Sequence, residues 1–254
     1  MAPEAVPSNY PSTEFPVAHA FGQNAISTNP ARCNQAPVES PSMLTVHHLG
    51  KSQSERIVWL CEELEIAYQI KHYTRDSVTM LSPPDLRALH PMGTAPVISD
   101  GDLLLSESAA IVEYILVKYG KGRLQLAPEH ADFAQYLYWF HFSNGNLQPV
   151  MGRNMILKRL DLPPDNAVLI GQRERLDRAL KLMDHRLASV EYLAGTFTAA
   201  DIMSVFSLST MRYFYPLDLS PYPEILAYLA HIGQRAGYQR AMQKGDPGMK
   251  LLLS

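Results

Sequence analysis

Strand-type patterning stops at Leu105, and every patterned segment after it reads as helix. This asymmetry constrains the fold most. A sheet confined to the first part of a chain must be covered by its own local helices and by the helical remainder. Residues 44–49 read as a buried strand, and residues 52–65 as a helix with Ile57, Leu60, Cys61 and Leu64 on one face. Ser52 followed by Glu55 has the spacing of a capping box. Residues 67–73 read as a second strand. Ser82-Pro83-Pro84-Asp85 opens a short helix to His90, with proline in its first turn. Residues 95–98 and 103–105 read as strands joined by an Asp100-Gly101 turn, and residues 107–119 as a helix closed by Gly120. Helical spacing then covers residues 132–157, 165–190, 199–213 and shorter pieces between 222 and 243. The order βαβα, ββα, all α predicts an α/β domain over residues 43–122 and an all-helical domain over residues 129–254.

Residues 1–42 differ from the rest: they carry seven of the 19 prolines and no apolar periodicity. Such a segment cannot bury enough surface to offset its ordering entropy, so a disordered Pro-rich extension is expected. It has neither the basic region nor the apolar stretch of a signal peptide. Glu4, Glu14 and Glu39 argue against a mitochondrial transit peptide. The net charge of −3, with mixed signs throughout, gives no electrostatic reason to expect nucleic acid or an anionic membrane as partner. No apolar run approaches the roughly 20 residues of a membrane span. Two cysteines, Cys33 and Cys61, give little support for a disulfide framework or a cysteine-rich metal site. No G-x-S-x-G, H-E-x-x-H or C-x-x-C occurs, which removes support for hydrolase, zincin and disulfide-reductase chemistry. Gly50-Lys51-Ser52 imitates the end of a phosphate-binding loop, but Thr45 stands where the first glycine is required.

Four local motifs remain. They are Ser52-Gln53-Ser54-Glu55-Arg56-Ile57-Val58-Trp59-Leu60, His90-Pro91-Met92-Gly93-Thr94-Ala95-Pro96-Val97-Ile98, Leu105-Ser106-Glu107-Ser108-Ala109-Ala110-Ile111 and Phe197-Thr198-Ala199-Ala200-Asp201-Ile202. In this order and spacing, over roughly residues 43–245, they resemble the cytosolic glutathione transferase superfamily, and in particular its serine-type fungal and bacterial members. The resemblance implies a thioredoxin-like glutathione-binding domain followed by an all-α acceptor domain. It also implies glutathione as cosubstrate, no metal, a small-molecule electrophile as partner, a homodimer and a cytoplasmic setting.

The resemblance further implies a cis bond before Pro96, with the Ala95 backbone pairing with the cysteinyl part of glutathione as an added strand does, flanked by Thr94 and Val97. Glu107 and Ser108 begin a helix whose free N–H groups attract a carboxylate. Ser108 would donate to the γ-glutamyl carboxylate, and Glu107 would accept from the amine. Thr94 stands where many relatives carry Lys or Gln for the glycyl carboxylate, which leaves His90, Arg75 or Lys51 for that role. Ser52, at the start of the first helix, can accept a backbone N–H and still donate to a thiolate. Ser54, and behind it His48, are the alternatives. The acceptor site is expected from Tyr136, Phe140, Asn144 and Gln148 on the long helix and from Met211, Phe214 and Tyr215 later. Thr198 and Asp201 read as a second capping box. Three functions fit: conjugation of glutathione to an electrophile, glutathione-dependent cis–trans isomerisation of an activated olefin as in a fungal secondary-metabolite (polyketide) pathway, or a non-catalytic binding module of this fold.

Overall fold

In the computed structural model, residues 43–254 are described, so the expected extension over residues 1–42 lies outside the described residues. Four strands form one sheet in the order β2-β1-β3-β4. They are β1 (Thr45–Leu49), β2 (Gln69–Tyr73), β3 (Val97–Asp100) and β4 (Leu103–Ser106). β1 pairs parallel with β2 and antiparallel with β3, and β3 pairs antiparallel with β4. Side chains alternate across the sheet. Val46 and Ile98 face one core with Ile57 and Ile111, from the helices α1 (Glu55–Glu63) and α3 (Ser108–Tyr119). Leu49 and Tyr73 face the other side, against Leu86 of the short α2 (Pro84–Arg87). By the same alternation His48 shares the Val46 face and points toward the helices.

Helix α1 starts three residues later than the periodicity suggests, and the capping box expected at Ser52 and Glu55 does not form. The Ser52 hydroxyl accepts the Ser54 N–H at 3.2 Å, and its carbonyl accepts the Glu55 N–H. A turn therefore precedes the helix. The Glu55 carboxyl turns inward to Thr210 and is buried there. Residues Glu55 through Glu62 of α1 are all buried, because this helix packs against α3 and also against the later helices α7 (Ala199–Leu208) and α9 (Ala236–Gly245).

The long helix expected over residues 132–157 is interrupted. It divides into α4 (Phe133–Phe142), a π-helical turn (Ser143–Leu147) and α5 (Gln148–Leu157). Pro149 explains the break: it has no N–H to return to the carbonyl four residues back. The Gln148 N–H instead closes a wider turn onto the Ser143 carbonyl. Next come α6 (Ala167–Leu187), capped by Asn166, and α7, capped by the expected Thr198–Asp201 box. A 3-10 turn (Thr210–Tyr213) replaces the end of the helix expected to reach residue 213, and α8 (Pro223–Gly233) and α9 complete the chain. None of the described helices is long and apolar enough to cross a membrane.

Candidate active site

Where the α/β part meets the helical part there is a cavity of about 410 Å³. Ser52, Gln53, Thr94 and Ala95 line it from the first side, and Gln148, Met155, Phe206, Met211 and Phe214 from the second. Lys51 and Arg75 stand at its wall. Lys51 Nζ lies 4.6 Å from the centre of the Tyr213 ring, and the Arg75 guanidinium lies 5.4 Å from that of Phe214. The helical wall is richer in apolar and aromatic groups, though it also carries Gln148 and Arg159, while the other wall mixes polar groups with Leu49, Met80 and Leu81; such a mixed lining suits a two-part ligand.

Thr79, Ser82 and Thr94 also bring hydroxyls to the cavity, and Ser52 is the one that stands just before α1. Its Oγ lies 2.7 Å from Ser54 Oγ. Ser54 is fully buried; its Oγ accepts the Leu49 N–H at 3.1 Å and lies 3.0 Å from His48 Nδ1. On the other side of the ring, His48 Nε2 lies 3.1 Å from Asp246 Oδ2, just past α9. Burial pushes the Asp246 carboxyl up. The His48 ring, the Lys51 N–H and the Lys51 charge outweigh that and hold it below the usual carboxylate range.

Beside Ser52 lies a second polar cluster, centred on Arg56, whose side chain is fully buried. Its Nη1 donates to Gln53 Oε1, Ser108 Oγ and Asn144 Oδ1 at 2.8–3.0 Å, and its Nη2 to Ser143 Oγ and Gln148 Oε1. Burial lowers the Arg56 pKa to about 10, against the pull of Glu55 and Glu107, so the group stays cationic at neutral pH. The π turn is what brings Ser143, Asn144 and Gln148 together on one side, facing Arg56. Glu107 holds a left-handed backbone (φ 77°) just before α3, and Asn144 Nδ2 donates to its Oε1 and to Ser108 Oγ. A non-glycine residue held there costs of order 1–3 kcal/mol and persists where surrounding contacts fix it. The Ala95–Pro96 bond is cis.

The sequence and the fold of this arrangement have known counterparts. The glutathione S-transferase N-terminal domain family matches residues 52–116. Glutathione S-transferase 3 of Schizosaccharomyces pombe is 31% identical over 227 residues, covering 84% of this chain and 92% of its own length. The chain belongs to the glutathione S-transferase family. A solved glutathione S-transferase of Actinobacillus pleuropneumoniae superposes with a TM-score of 0.74 at 30% identity, covering 80% of this chain and 93% of that one. A theta-class glutathione S-transferase of Xanthomonas axonopodis, solved with glutathione bound, superposes with a TM-score of 0.61 at 27% identity, over 80% of this chain and 97% of that one.

For a transferase of this family, the structure brings part of the expected site together and leaves part elsewhere. Ser52, Thr94, Ala95, Gln148, Met211 and Phe214 share the cavity. Pro96 and Val97 are buried at the start of β3, behind Ala95. Glu107, Ser108 and Asn144 form the adjoining Arg56 cluster. Ser54 is sealed behind Ser52. His90 is not among the cavity residues, and its Nδ1 accepts the Met92 N–H. Tyr136 and Phe140 line a different cavity, of about 490 Å³, with Val117 and Leu137. Tyr215 packs half-buried against the core and does not line the Ser52 cavity. Helical spacing put Tyr136, Phe140 and Asn144 on one stripe, but the π turn rotates the later residues away from the earlier ones. Sequence reasoning overlooked Arg56, Gln53, Phe206 and Asp246. An arginine followed directly by Ile57, Val58, Trp59 and Leu60 was a readable signal of a buried cation; nothing local marked Asp246.

Proposed function

We propose that this chain binds glutathione across the Ser52 cavity and the Arg56 cluster and activates its thiol for attack on an electrophilic small molecule. The observation that carries this reading is the position of the Ser52 hydroxyl, at the cavity surface beside Ala95 and opposite an aromatic helical wall. In this reading Ser108, backed by the Arg56 cation, takes the γ-glutamyl carboxylate, and Glu107 takes the amine. The Ala95 backbone pairs with the cysteinyl unit. Lys51 or Arg75 meets the glycyl carboxylate. Met155, Phe206, Met211 and Phe214 face the electrophile.

Magnitudes say what such a site must do. Lowering a thiol pKa from about 8.5 to about 6.5 raises the thiolate fraction at pH 7 from roughly 3% to roughly 75%. The lower basicity takes back roughly eightfold in nucleophilicity at a Brønsted slope of about 0.45. The net gain is a few-fold, so most acceleration comes from positioning the two reactants and stabilising developing charge. The test is incubation with glutathione and a panel of electrophiles, read by mass spectrometry, for the wild type and Ser52→Ala. Conjugates that retain glutathione and fall at least about tenfold in Ser52→Ala support transfer. Product formed with glutathione regenerated replaces transfer by isomerisation. Absence of glutathione binding by calorimetry overturns both.

A further inference from the structure

The residues behind Ser52 form a continuous line of titratable and hydroxyl groups that simple donation to a thiolate does not require. Ser52 Oγ, Ser54 Oγ, His48 and Asp246 follow one another at 2.7, 3.0 and 3.1 Å. Only the Ser52 end lines the cavity; Ser54 and His48 are sealed from water. The line joins the end of β1 and the turn before α1 to the segment after α9, which lies 198 positions from His48 in sequence. Gly245 makes the far end possible: a Cβ there would stand 3.1 Å from His48 Cε1.

We propose that this line is a proton relay in which His48, held by Asp246, takes the proton of the glutathione thiol through Ser54 and Ser52. The inference rests on the reading that glutathione binds with its sulfur at Ser52. The hydrogen-bond inventory closes in both end states. Before transfer His48 is neutral. Its Nε2–H donates to Asp246, and its Nδ1 accepts the Ser54 hydroxyl. Ser54 Oγ accepts the Leu49 N–H and the Ser52 hydroxyl, and Ser52 Oγ accepts the Ser54 N–H and the thiol S–H. In transfer the S–H bond breaks and its proton passes to Ser52. The Ser52 proton passes to Ser54, and the Ser54 proton to His48 Nδ1. The products are a thiolate that accepts a hydrogen bond from Ser52, and an imidazolium whose two N–H groups face Ser54 and the Asp246 carboxylate. Every hydroxyl reverses direction, and no group loses a partner. Charge is conserved, and no outside acid or base is required. A competing acceptor for the Ser54 hydroxyl, the Leu49 carbonyl, is more distant at 3.3 Å.

The surroundings bear on the charge that His48 would carry. Asp246 touches it, and the His72 ring of β2 meets it edge-on at 5.7 Å. Lys51 and Arg75 interact with Asp246 from the loop after β1 and from beyond β2, and Glu55 does so from α1. The nearest fixed charge to the His48 ring is therefore the Asp246 carboxylate.

The test counts protons. Glutathione is added to the lightly buffered enzyme at about pH 7, where the free peptide is almost all thiol. Thiolate is read by ultraviolet absorbance and released protons by an indicator dye. S-methylglutathione, which has no thiol, corrects for protons that binding alone releases. The relay requires thiolate to form with well under half a proton released per thiolate. An acidified thiol without the relay releases about one. In Asp246→Asn and His48→Gln the thiolate fraction should fall severalfold, and what remains should release about one proton each. A wild type that forms thiolate with about one proton released overturns the relay and leaves the proposed function standing. So does Asp246→Asn with unchanged thiolate and proton count. No thiolate in the wild type overturns both. The wild-type count needs no variant, so a folding failure of His48→Gln does not blunt the test.

Discussion

Arg56 Nη1 donates to Ser108 Oγ at 3.0 Å and so ties the buried first helix to the start of α3. All five acceptors around the guanidinium are neutral, and no carboxylate among the described residues lies within salt-bridge distance of it. Glu55 and Glu107 act on its charge from farther away, and in the proposed function that charge also meets an anion brought to Ser108.

Arg56→Met should therefore have two effects. It strips hydrogen bonds from five buried or half-buried acceptors, and unfolding stability should fall by about 2–4 kcal/mol. It also removes the cation, and glutathione affinity should fall at least about tenfold. Arg56→Lys keeps the charge but cannot reach both sets of acceptors. It should recover part of the affinity and little of the stability. Denaturant melts and calorimetry on the two variants separate these roles.

Glu55 predicts a pH effect on stability. Burial pushes its carboxyl up to about 8, against the Thr210 hydrogen bond, with Asp246 adding to the rise and Arg56 opposing it. The unfolded chain releases this proton near the usual carboxylate value, so between that pH and about 8 the native state holds the extra proton. Stability is then fully present below the unfolded pKa and is lost as pH rises toward the folded value. Glu55→Gln keeps the shape without the titration. Its stability gain over wild type should be small near pH 5 and grow to about 3 kcal/mol by about pH 7. Thermal melts across that range check the sign.

At the start of α7, Asp201 accepts the N–H groups of Thr198 and Leu193 and the hydroxyl of Tyr228. Thr198 caps the Ala200 N–H. Thr198→Ala should cost about 1 kcal/mol. Asp201→Ala leaves three buried donors unpaired and should cost about 3 kcal/mol or more. Neither residue reaches the Ser52 cavity, so glutathione affinity of the folded fraction should be unchanged. Calorimetry beside denaturant melts tests that separation.

What the sequence made legible follows from range. Strand runs and the Thr198–Asp201 box are local signals, and they appear in the structure; the hairpin turn expected at Asp100-Gly101 also forms but one residue later, with Asp100 closing β3 and Gly101-Asp102 making the loop. Ser52 and Ala95 belong to short motifs of fixed spacing, so their approach could be anticipated. The π turn was hidden because helical spacing continues through residues 132–157, while its cause is a single residue, Pro149. Asp246 was invisible because its partner is His48, 198 positions earlier, and only the packing of α9 on α1 brings them together. Glu55 misled for the opposite reason: a local spacing suggested a cap, and burial against the 3-10 turn claimed the side chain instead.

The last expectation concerns assembly. Val117 on α3 is 79% exposed, and Leu137 on α4 stands exposed nearby. Both border the cavity that holds Tyr136 and Phe140, and Leu103 and Leu104 of the edge strand β4 are exposed as well. Apolar groups gathered at one cavity mark a surface that gains from being covered, and the family resemblance implies a second copy of the chain as the cover. A two-fold contact would place the same patch on both sides, so one substitution enters the interface twice. Sedimentation at micromolar concentration should show a dimer. Val117→Glu should weaken it by at least about a hundredfold, because two buried carboxylates would face apolar surface. Ser52, Thr94, Ala95 and Gln148 all reach their cavity from the same chain. The monomeric variant should therefore still bind glutathione within a few-fold of wild type, and loss of binding with dissociation would mean that the partner completes the site. A wild type that sediments as a monomer would refute the assembly itself.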